Sequence, residues 1–325
     1  MTGEFDLIAR IRARAGTRAD VVLGIGDDAA ILRVPAGHDL VVSTDTLSNG
    51  VHFPPETASF DIGWKSLAVN LSDLAAMGAQ PAWCTLNLTM PDANDEWLDA
   101  FLDGFLALAA QHDVVLVGGD TTRGPLSITV TVHGLVPHGM ALLRSGAQVG
   151  DEVWVSGTLG DAAAALRHWR DGSAIDAGLR ERLDRPIPRV ALGLALRGIA
   201  NACIDVSDGL LADLSHVLAA SHAGAELDCA AMPTSPALLA AFDETTRMAL
   251  QLGGGDDYEL CFTAPAVRAP DVLALSEQTG VVVTRIGRIE VQTGLRVREV
   301  DGVVHDAPAR GYRHFDGSSA ARTDA

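Results

Sequence analysis

Apolar residues recur along the first half of the chain at spacings that predict helices and strands in turn. Between 64 and 75 they are three or four residues apart, which predicts an amphipathic helix, and Gly78 ends the pattern. A second helical pattern covers about 97–110. Short apolar runs that end in polar or glycine-rich turns predict strands at 39–43 and 114–117.

The second half shows the same alternation after a glycine-bounded change of unit at 146–150. The predicted elements from 127 onward are strands at 127–136, 152–155, 204–206, 259–263 and 281–286 and helices at 160–169, 188–200 and 209–223. The stretch 171–188 contains two prolines and is predicted to be a surface excursion. Because strands and helices interleave in both halves, the sequence predicts two α/β domains, residues 1–147 and 148–325.

Composition and charge restrict the class of protein. Of the 325 residues, 48% are hydrophobic and 20% are charged, which is typical of a folded soluble chain. The formal net charge of −18 argues against nucleic acid as a partner, because binding a polyanion requires clustered Lys and Arg. The apolar stretch 97–117 is broken by three aspartates and a histidine, so no membrane span is expected.

The cysteines and the first residues favour a reducing, cytoplasmic environment. The four cysteines are far apart and form no CxxC pair, so neither a zinc site nor a disulfide framework is expected. The first residues include Glu4 and Asp6 and no apolar run, so no signal peptide is predicted.

Aspartates stand in Gly-, Ser- and Thr-rich turns at the ends of the apolar segments. The six motifs are Gly26-Asp27-Asp28, Ser43-Thr44-Asp45, Asn70-Leu71-Ser72-Asp73, Gly118-Gly119-Asp120, Asp205-Val206-Ser207-Asp208-Gly209 and Gly254-Gly255-Asp256-Asp257. Carboxylate and hydroxyl oxygens are the ligands that Mg²⁺ prefers, and Mg²⁺ completes its shell with water and substrate phosphates. Carboxylates gathered from several turns therefore suggest several Mg²⁺ ions on a polyphosphate, with phosphoryl transfer as the reaction.

Turn chemistry alone could explain any one of these motifs, because Asp caps backbone amides in turns. Asp73 is the exception, because it lies inside a predicted helix, where Asp is unfavourable, on the same face as Asn70. The chain has no GxxxxGK[ST] phosphate loop, no protein-kinase HRD or DFG motif and no GxSxG nucleophile elbow. Arg123, Arg144 and His52 are candidates for binding an anion, with a surface ion pair or an ordinary loop as the alternative.

Taken in order, the motifs resemble those of the thiamine-monophosphate kinase family, within the ATP-binding superfamily that includes aminoimidazole ribonucleotide synthetase. The matching segments cover nearly the whole chain and are 3–8, 24–30, 43–47, 52–53, 65–79, 118–124, 205–210, 257–260 and 311–315. The run Asn-Leu-Ser-Asp-Leu-Ala-Ala-Met-Gly at 70–78 points to the superfamily. The runs Gly-Gly-Asp-Thr-Thr-Arg-Gly and Asp-Tyr-Glu-Leu, with the C-terminal Gly-Tyr-x-His-Phe, point to the thiamine branch.

The resemblance implies direct, in-line transfer of the γ-phosphate of ATP to thiamine monophosphate, with no phosphoenzyme. The residues that match the family's magnesium ligands are Asp28, Ser43, Thr44, Asp45, Asp73, Asp120, Asp205 and Asp208. Those that match its ATP contacts are Gly119, Asp120, Arg144 and Ser207, and those that match its acceptor contacts are His52, Glu259 and Tyr312. Tyr312 would stack on the cationic thiazolium, and Glu259 would supply a compensating charge.

The resemblance also implies a fold and a partner. The fold would be α/β (α+β) and aminoimidazole ribonucleotide synthetase-like, with an N-terminal α/β domain whose strands pair across a homodimer and a C-terminal α/β domain. The active site would lie in the cleft near the domain boundary. One position departs from the family: Asp256 stands where Glu is common, which keeps the charge with a shorter reach.

Other functions stay open at this point. A selenophosphate synthetase would be expected to carry an N-terminal reactive cysteine, but no cysteine precedes Cys84, and a hydrogenase-maturation protein would end in cysteine. Aminoimidazole ribonucleotide synthetase is chemically possible but fits the C-terminal motifs poorly. A non-catalytic nucleotide-binding module with the same fold is the alternative from a different class.

Overall fold

The computed structural model describes residues 4–307 and Gly311. Its N-terminal half contains α1 (Glu4–Arg14), β1 (Val21–Leu23), β2 (Ile31–Leu32), β3 (His38–Ser48), α2 (Ser59–Ala76), β4 (Gln80–Met90), α3 (Asp95–Gln111), β5 (Val115–Arg123) and β6 (Ser127–Pro137). Its C-terminal half contains β7 (Asp151–Ser156), α4 (Asp161–Arg170), α5 (Ala177–Asp184), α6 (Val190–Leu196), β8 (Ala202–Val206), α7 (Leu210–Ser221), β9 (Gly224–Asp228), α8 (Pro236–Ala241), α9 (Glu244–Gly253), β10 (Glu259–Pro265), α10 (Ala269–Thr279), β11 (Val283–Glu290), β12 (Gly294–Arg298) and β13 (Val304–Asp306). Within this described part, no helix has both the length and the apolar character needed to cross a membrane.

The N-terminal sheet has four strands in the order β3-β6-β4-β5. β6 pairs antiparallel with both β3 and β4, whereas β4 and β5 run parallel. A parallel pair needs a crossover connection, and α3 supplies it here. β3 and β5 therefore form the two opposite edges of the sheet.

α2 and α3 cover one face of this sheet and cross each other at two glycines. Many apolar residues of both helices, such as Leu71 and Phe101, are fully buried there. A methyl group added at Gly63 would lie 2.0 Å from the carbonyl oxygen of Phe101, and one added at Gly104 would lie 1.8 Å from that of Phe60. The glycines therefore allow the two helix backbones to touch.

The opposite face of the sheet is polar over most of its length. Threonine hydroxyls pair across it, with Oγ1 of Thr46 2.8 Å from that of Thr129, and Oγ1 of Thr89 3.1 Å from that of Thr122. β1 and β2 cover only one end of this face, where their apolar side chains pack around Trp83. Among the described residues, no other element of the chain covers the rest of this face.

The C-terminal sheet has seven strands in the order β13-β12-β9-β11-β7-β10-β8. Its pairs are antiparallel except for β12 with β9, which run parallel. Every residue of β7 and β8 is buried. β8 is an edge strand in hydrogen bonding, and it lies next to the N-terminal half.

α2 joins the two halves. It contacts α3 and the N-terminal sheet, and it also contacts α5, α6, β8 and β10 of the C-terminal half. A methyl group added at Gly193 of α6 would lie 2.0 Å from the carbonyl oxygen of Ala75. Nε1 of Trp64 donates a hydrogen bond to the carbonyl of Pro186 at 2.9 Å. Because α2 is enclosed on several sides, its polar Asn70 is as buried as its leucines.

Two predicted strands are longer than their apolar runs indicated. The strand predicted at 39–43 is β3, which continues to Ser48, and the strand predicted at 114–117 is β5, which continues to Arg123. In both cases most of the extra residues are polar or glycine, with Leu47 of β3 as the apolar exception, and they include residues of a predicted site motif. Their backbone hydrogen bonds to neighbouring strands hold them in the ladder despite their low apolar content.

The prediction that 171–188 is a surface excursion is wrong, because this stretch contains α5. Leu179 and Leu183, one helical turn apart, are fully buried in a small cluster with α4 and α8. Strands β4, β9 and β12 were also not predicted. Strands and helices nevertheless interleave in both halves, and the predicted α/β fold class is confirmed.

Candidate active site

Ser43, Asp45 and Asp73 meet between β3 and α2. Side chains alternate along a strand, so Ser43 and Asp45 lie on the same face of β3, which is the face that α2 covers. The Ser43 hydroxyl donates a hydrogen bond to the Asp73 carboxylate. The backbone N–H of Asp45 donates to Oδ1 of Asn70 at 3.0 Å. Two of the sequence motifs are therefore side by side.

The end of β8 brings in a third motif. The Ser72 hydroxyl of α2 donates to Oδ2 of Asp205 at 2.8 Å, across the boundary between the halves. The Asp45 carboxylate is close enough to Asp73 and Asp208 to interact with their charges, and the Asp205 carboxylate interacts with those of Asp73 and Asp45. Four aspartates from three separate motifs therefore lie close together.

Burial raises the pKa values of Asp45, Asp73 and Asp205, and the charges of neighbouring carboxylates raise those of Asp45 and Asp205 further. Burial, followed by the charges on Asp73 and Asp208, raises the pKa of Asp45 to about 6. Burial and the charge on Asp73 raise the pKa of Asp205 to about 8. Burial also raises the pKa of Asp73, although the hydrogen bond from Ser43 and the positive charge of Arg144 oppose this shift. The cluster is thus a place where an added cation would be strongly stabilised.

Asp213, which the sequence analysis missed, holds the turn after β8. Its Oδ2 accepts hydrogen bonds from the backbone N–H groups of Ser207, Asp208 and Gly209, at 3.0, 3.1 and 3.1 Å. Burial, followed by the charge on Asp208, raises the pKa of Asp213 to about 7. The only signal in the sequence was an aspartate in the first turn of a predicted helix, where it is also a common helix-terminal residue.

A cavity of about 470 Å³ lies between the two halves beside the acidic cluster. Ser43, Asp73, Arg144 and Asp205 all contribute to its wall, together with apolar residues. A guanidinium can fork onto phosphate oxygens, and carboxylates can hold the metal that accompanies them. The cavity therefore has the chemistry expected of a site for a metal-bound polyphosphate.

His52 lies beside a buried network that joins two loops. Its Nδ1 accepts a hydrogen bond from the backbone N–H of Ser48 at 3.0 Å. Nζ of Lys65 donates to the carbonyl oxygen of His52 and to Oδ2 of Asp256, both at 3.1 Å. The Tyr258 hydroxyl donates to Oδ1 of Asp256 at 2.9 Å. The loop after β3 and the loop before β10 are therefore adjacent.

Glu259 is completely buried, and two guanidiniums share its carboxylate. Oε1 accepts a hydrogen bond from Nη2 of Arg182 at 2.6 Å, and Oε2 accepts one from Nε of Arg189 at 2.6 Å. The Ser156 hydroxyl also donates to Oε2. The negative charge that the sequence hypothesis assigned to the thiazolium is therefore already balanced by arginines.

Three predicted residues lie away from this cluster, at the β5 edge or on the far face of the N-terminal sheet. Asp120 is paired with Asn87 at the β5 edge, on the face opposite α2, and three strand spacings of about 4.8 Å separate that edge from β3. Asp28 lies in the connection between β1 and β2, which pack on that same face. Gly119 has φ +145, and a methyl group there would lie 1.8 Å from the carbonyl oxygen of Leu86.

The side chain of Thr44 also points away from the cluster, because alternate residues of a strand face opposite sides. Its Oγ1 donates to the carbonyl oxygen of Val130 at 3.1 Å and accepts from the Thr131 hydroxyl at 3.0 Å. Of the Ser43-Thr44-Asp45 motif, the structure therefore brings two side chains to the cluster and only the backbone of the third.

The described residues do not by themselves form a metal cage. Within 4–307 and Gly311, no three Asp, Glu, His or Cys side chains surround a common point at metal-ligand distances. Tyr312 lies outside the described residues. Gly311 packs against the cluster, since a methyl group there would lie 2.8 Å from the carbonyl oxygen of Asp208. The predicted C-terminal motif therefore begins beside the turn that follows β8.

The chain matches two family descriptions in succession. Residues 26–136 match the AIR synthase related protein, N-terminal domain, and residues 148–299 match the AIR synthase related protein, C-terminal domain. Together these matches include the acidic cluster, almost all of the four-stranded sheet, and the C-terminal sheet except β13.

Several relatives match over nearly their whole length. The thiamine-monophosphate kinase of Salmonella typhimurium is 47% identical over 320 residues, which is 96% of this chain and 98% of the relative. The crystal structure of thiamine-monophosphate kinase from Stenotrophomonas maltophilia is 56% identical, with a TM-score of 0.86 over 92% of this chain and 97% of that one. AaThiL complexed with AMPPCP and TMP is 31% identical, with a TM-score of 0.77 over 96% and 97%. By its two domains and by identity along almost its entire length, the chain belongs to the thiamine-monophosphate kinase family.

Proposed function

We propose that this chain transfers the γ-phosphate of ATP to thiamine monophosphate and forms thiamine diphosphate. The observation that carries the proposal is the convergence of Asp45, Asp73, Asp205 and Asp208 beside a cavity that Arg144 also lines. Direct transfer depends on alignment and charge neutralisation more than on a protein nucleophile. The related AaThiL complex contains AMPPCP and TMP together, which supports a ternary complex as the reacting state.

Several Mg²⁺ ions are part of the proposal. Asp45, Asp73, Asp205 and Asp208 would hold them, with the Ser43 hydroxyl beside Asp73. The raised pKa values of Asp45 and Asp205 support the fit, because they reflect burial of the two carboxylates and, after it, the negative charge of their neighbours. Mg²⁺ takes few carboxylates and leaves positions for phosphate oxygens, so a protomer need not supply a complete cage. Bound there, the ions would neutralise charge on the transferring oxygens.

The acceptor would lie on the side of the cluster formed by the loops after β3 and before β10. His52 and Tyr312 are proposed as direct contacts to thiamine monophosphate. Glu259 is proposed to act on the acceptor indirectly, because its carboxylate is hydrogen-bonded to Arg182 and Arg189 and has no exposed surface. Its effect on the acceptor would be transmitted through those arginines, which differs from the direct charge compensation expected from the sequence.

A homodimer is also part of the proposal, because Asp28, Gly119 and Asp120 lie away from the cluster of their own protomer. The sheet face that carries Asp120 is only partly covered, and Leu40 and Val42 on β3 are 44% and 54% exposed. A second copy packed there would cover this face. It would also allow the Gly119-Asp120 turn of one protomer to serve the ATP site of the other.

Mixed dimers test this arrangement. Asp45→Asn and Asp120→Asn should each inactivate the enzyme when present in both protomers. In a mixed dimer, one site would carry both changes and the other would be intact, so random 1:1 mixing should restore about a quarter of the wild-type rate. No recovery in mixed dimers purified with two different tags would place Asp120 in the site of its own protomer, and a monomer by light scattering would exclude the dimer.

We also propose a domain boundary and a cellular location. The domain boundary is placed between 147 and 148, in the connection between β6 and β7, which belong to different sheets. A cytoplasmic location is proposed because all four cysteines, each within the described residues, are free and buried, as expected in a reducing compartment.

The proposed reaction is tested by incubating the purified protein with ATP, Mg²⁺ and thiamine monophosphate and following thiamine diphosphate by chromatography. Free thiamine and formylglycinamidine ribonucleotide serve as parallel acceptors. Product from thiamine monophosphate alone would support the proposal. Magnesium-dependent ATP binding without thiamine diphosphate would indicate another acceptor, and the absence of both would favour a non-catalytic nucleotide-binding module.

A further inference from the structure

Lys65 is the only lysine in the sequence, and all other permanently charged basic side chains are arginines. It lies in the middle of α2 with 2% of its surface exposed. Burying an ammonium group is unfavourable unless it is paired and hydrogen-bonded, and a leucine would fill such a position without that cost. A lysine at this position therefore suggests a role beyond packing.

The two partners of Lys65 belong to different halves of the protein. The carbonyl of His52 is in the loop after β3, whereas the carboxylate of Asp256 is in the loop before β10, 191 residues from Lys65 along the chain. One compact ammonium thus joins the two loops across the domain boundary. A planar guanidinium is larger and presents its donors as a fixed fork, so arginine would not reproduce this junction.

The loop that Lys65 holds has an unfavourable backbone conformation. Asp256 and Tyr258 have φ values of +68 and +51, in the left-handed region that a bulky residue such as tyrosine rarely adopts. Their N–H groups donate to the carbonyls of Ser207 and Val206, both at 2.8 Å. The Asp256 carboxylate adds a second restraint, because one oxygen accepts from Tyr258 and the other from Lys65. Lys65 therefore helps to fix a loop that would otherwise relax.

We infer that Lys65 is a positioning residue for the acceptor side of the site. It holds the loop of His52 and the loop of Asp256 at a fixed separation, and it thereby sets the affinity for thiamine monophosphate more than the affinity for ATP. The inference rests on the proposed function, which places the acceptor between these loops. The cavity beside Arg144, assigned to the nucleotide, is lined by neither loop.

Steady-state kinetics of four single variants, and of the double variant that combines Lys65→Met with Asp256→Asn, test the inference. Lys65→Met removes the ammonium and keeps the chain length, Asp256→Asn removes the paired charge, and Asp256→Glu keeps it. Arg185→Met is the matched control, because Arg185 also forms an ion pair across the boundary to α2, with Asp61, but contacts neither loop. The KM for thiamine monophosphate is measured at saturating ATP and the KM for ATP at saturating acceptor, with folding checked by circular dichroism.

Lys65→Met and Asp256→Asn should each raise the KM for thiamine monophosphate about tenfold or more and leave the KM for ATP within about twofold. The double variant should be no worse than the more severe single variant, because both changes break the same contact. Asp256→Glu and Arg185→Met should stay within about twofold of wild type for both substrates.

An unchanged acceptor KM in folded Lys65→Met, or an equal rise in both KM values, would overturn the inference and leave Lys65 a structural residue. If Lys65→Met does not fold, Asp256→Asn decides the question, because the Asp256 side chain is 26% exposed and its replacement is milder. A wild-type protein that forms no thiamine diphosphate would overturn the proposed function and this inference together. Activity in the wild type with unaltered acceptor KM in Asp256→Asn would overturn the inference alone.

Discussion

The negative charge of Asp45 lowers the stability of the ligand-free protein and, in the proposed reaction, supports catalysis. Its carboxylate is buried next to Asp73 and Asp208, which raises its pKa to about 6. Asp45→Asn should lower kcat about a hundredfold or more, because it removes a metal-binding charge. The unfolding temperature of the ligand-free protein should stay the same or rise, because the change relieves repulsion. Initial rates over a range of Mg²⁺ and thermal unfolding in EDTA measure the two effects.

The matched control for this prediction is Asp39→Asn. Asp39 lies on the same strand but is exposed and pairs with His138 at the surface. The Asp39→Asn variant should form product at the wild-type rate. Near-normal turnover in Asp45→Asn would remove that residue from the proposed metal site.

Glu259 is expected to behave as a structural charge. Its carboxylate neutralises Arg182 and Arg189 without exposure to solvent, so Glu259→Gln should destabilise the protein by about 3 kcal/mol. Glu226→Gln is the comparison, because Glu226 pairs with Arg298 at the surface and should cost less than about 1 kcal/mol. Urea unfolding of both variants gives the difference. Wild-type stability with a raised KM for thiamine monophosphate would instead favour a direct contact between Glu259 and the acceptor.

Among individual site residues, the sequence could predict those whose chemistry is visible in a local motif. The sequence predicted that the aspartates of all six motifs come together, from hard-metal ligands at the ends of apolar segments alone. The structure places Asp45, Asp73, Asp205 and Asp208 close together, whereas Asp28 and Asp120 lie elsewhere in the same chain. The partner of Glu259 could not be predicted in the same way. Arg182 is 77 residues away in a stretch with no motif, and only tertiary packing brings it there.

The crossing of α2 and α3 depends on the absence of side chains at the contact. Gly63→Ala would place a methyl group 2.0 Å from the carbonyl of Phe101, so the helices would have to separate. We expect a loss of about 2–4 kcal/mol in the free energy of unfolding. Gly253→Ala, also at a helical position but with no atom within 4 Å of the added methyl, should be neutral or slightly stabilising. Equal stability of the two variants by urea unfolding would contradict this account of the crossing.

Elements were predicted well where their own side chains determined them. α2 and α3 have long apolar stripes, and the predicted helices at 64–75 and 97–110 fall within them. α5 was missed because its core contact consists of only two leucines among charged residues, next to two prolines. β4 is an exception, because it was not predicted although residues 84–90 alternate regularly between buried apolar and less buried polar side chains. Only its first part, 81–84, is buried on both faces and lacks that alternation.

For the whole molecule, the acidic cluster makes the stability of the ligand-free protein depend on pH. Asp45 and Asp205 have pKa values of about 6 and about 8 in the folded protein, against 3.8 for an ordinary aspartate. Between about pH 4 and pH 8 the folded state therefore binds more protons than the unfolded state. The free energy of unfolding of the ligand-free protein should fall as pH rises through this window.

Bound Mg²⁺ and nucleotide should reverse this trend, because metal ligands must be deprotonated and binding then releases protons. The rise in unfolding temperature caused by Mg²⁺ with a non-hydrolysable ATP analogue should therefore be larger at pH 8 than at pH 6.5. Titration calorimetry in buffers of different ionisation enthalpy should show proton release at pH 7. Asp205→Asn removes the group with the higher pKa and should reduce the release, whereas the protonation of the nucleotide itself is the same for both proteins. Equal proton release from wild type and Asp205→Asn would mean that this carboxylate, although buried at the domain boundary beside Ser72, does not take part in holding the metal.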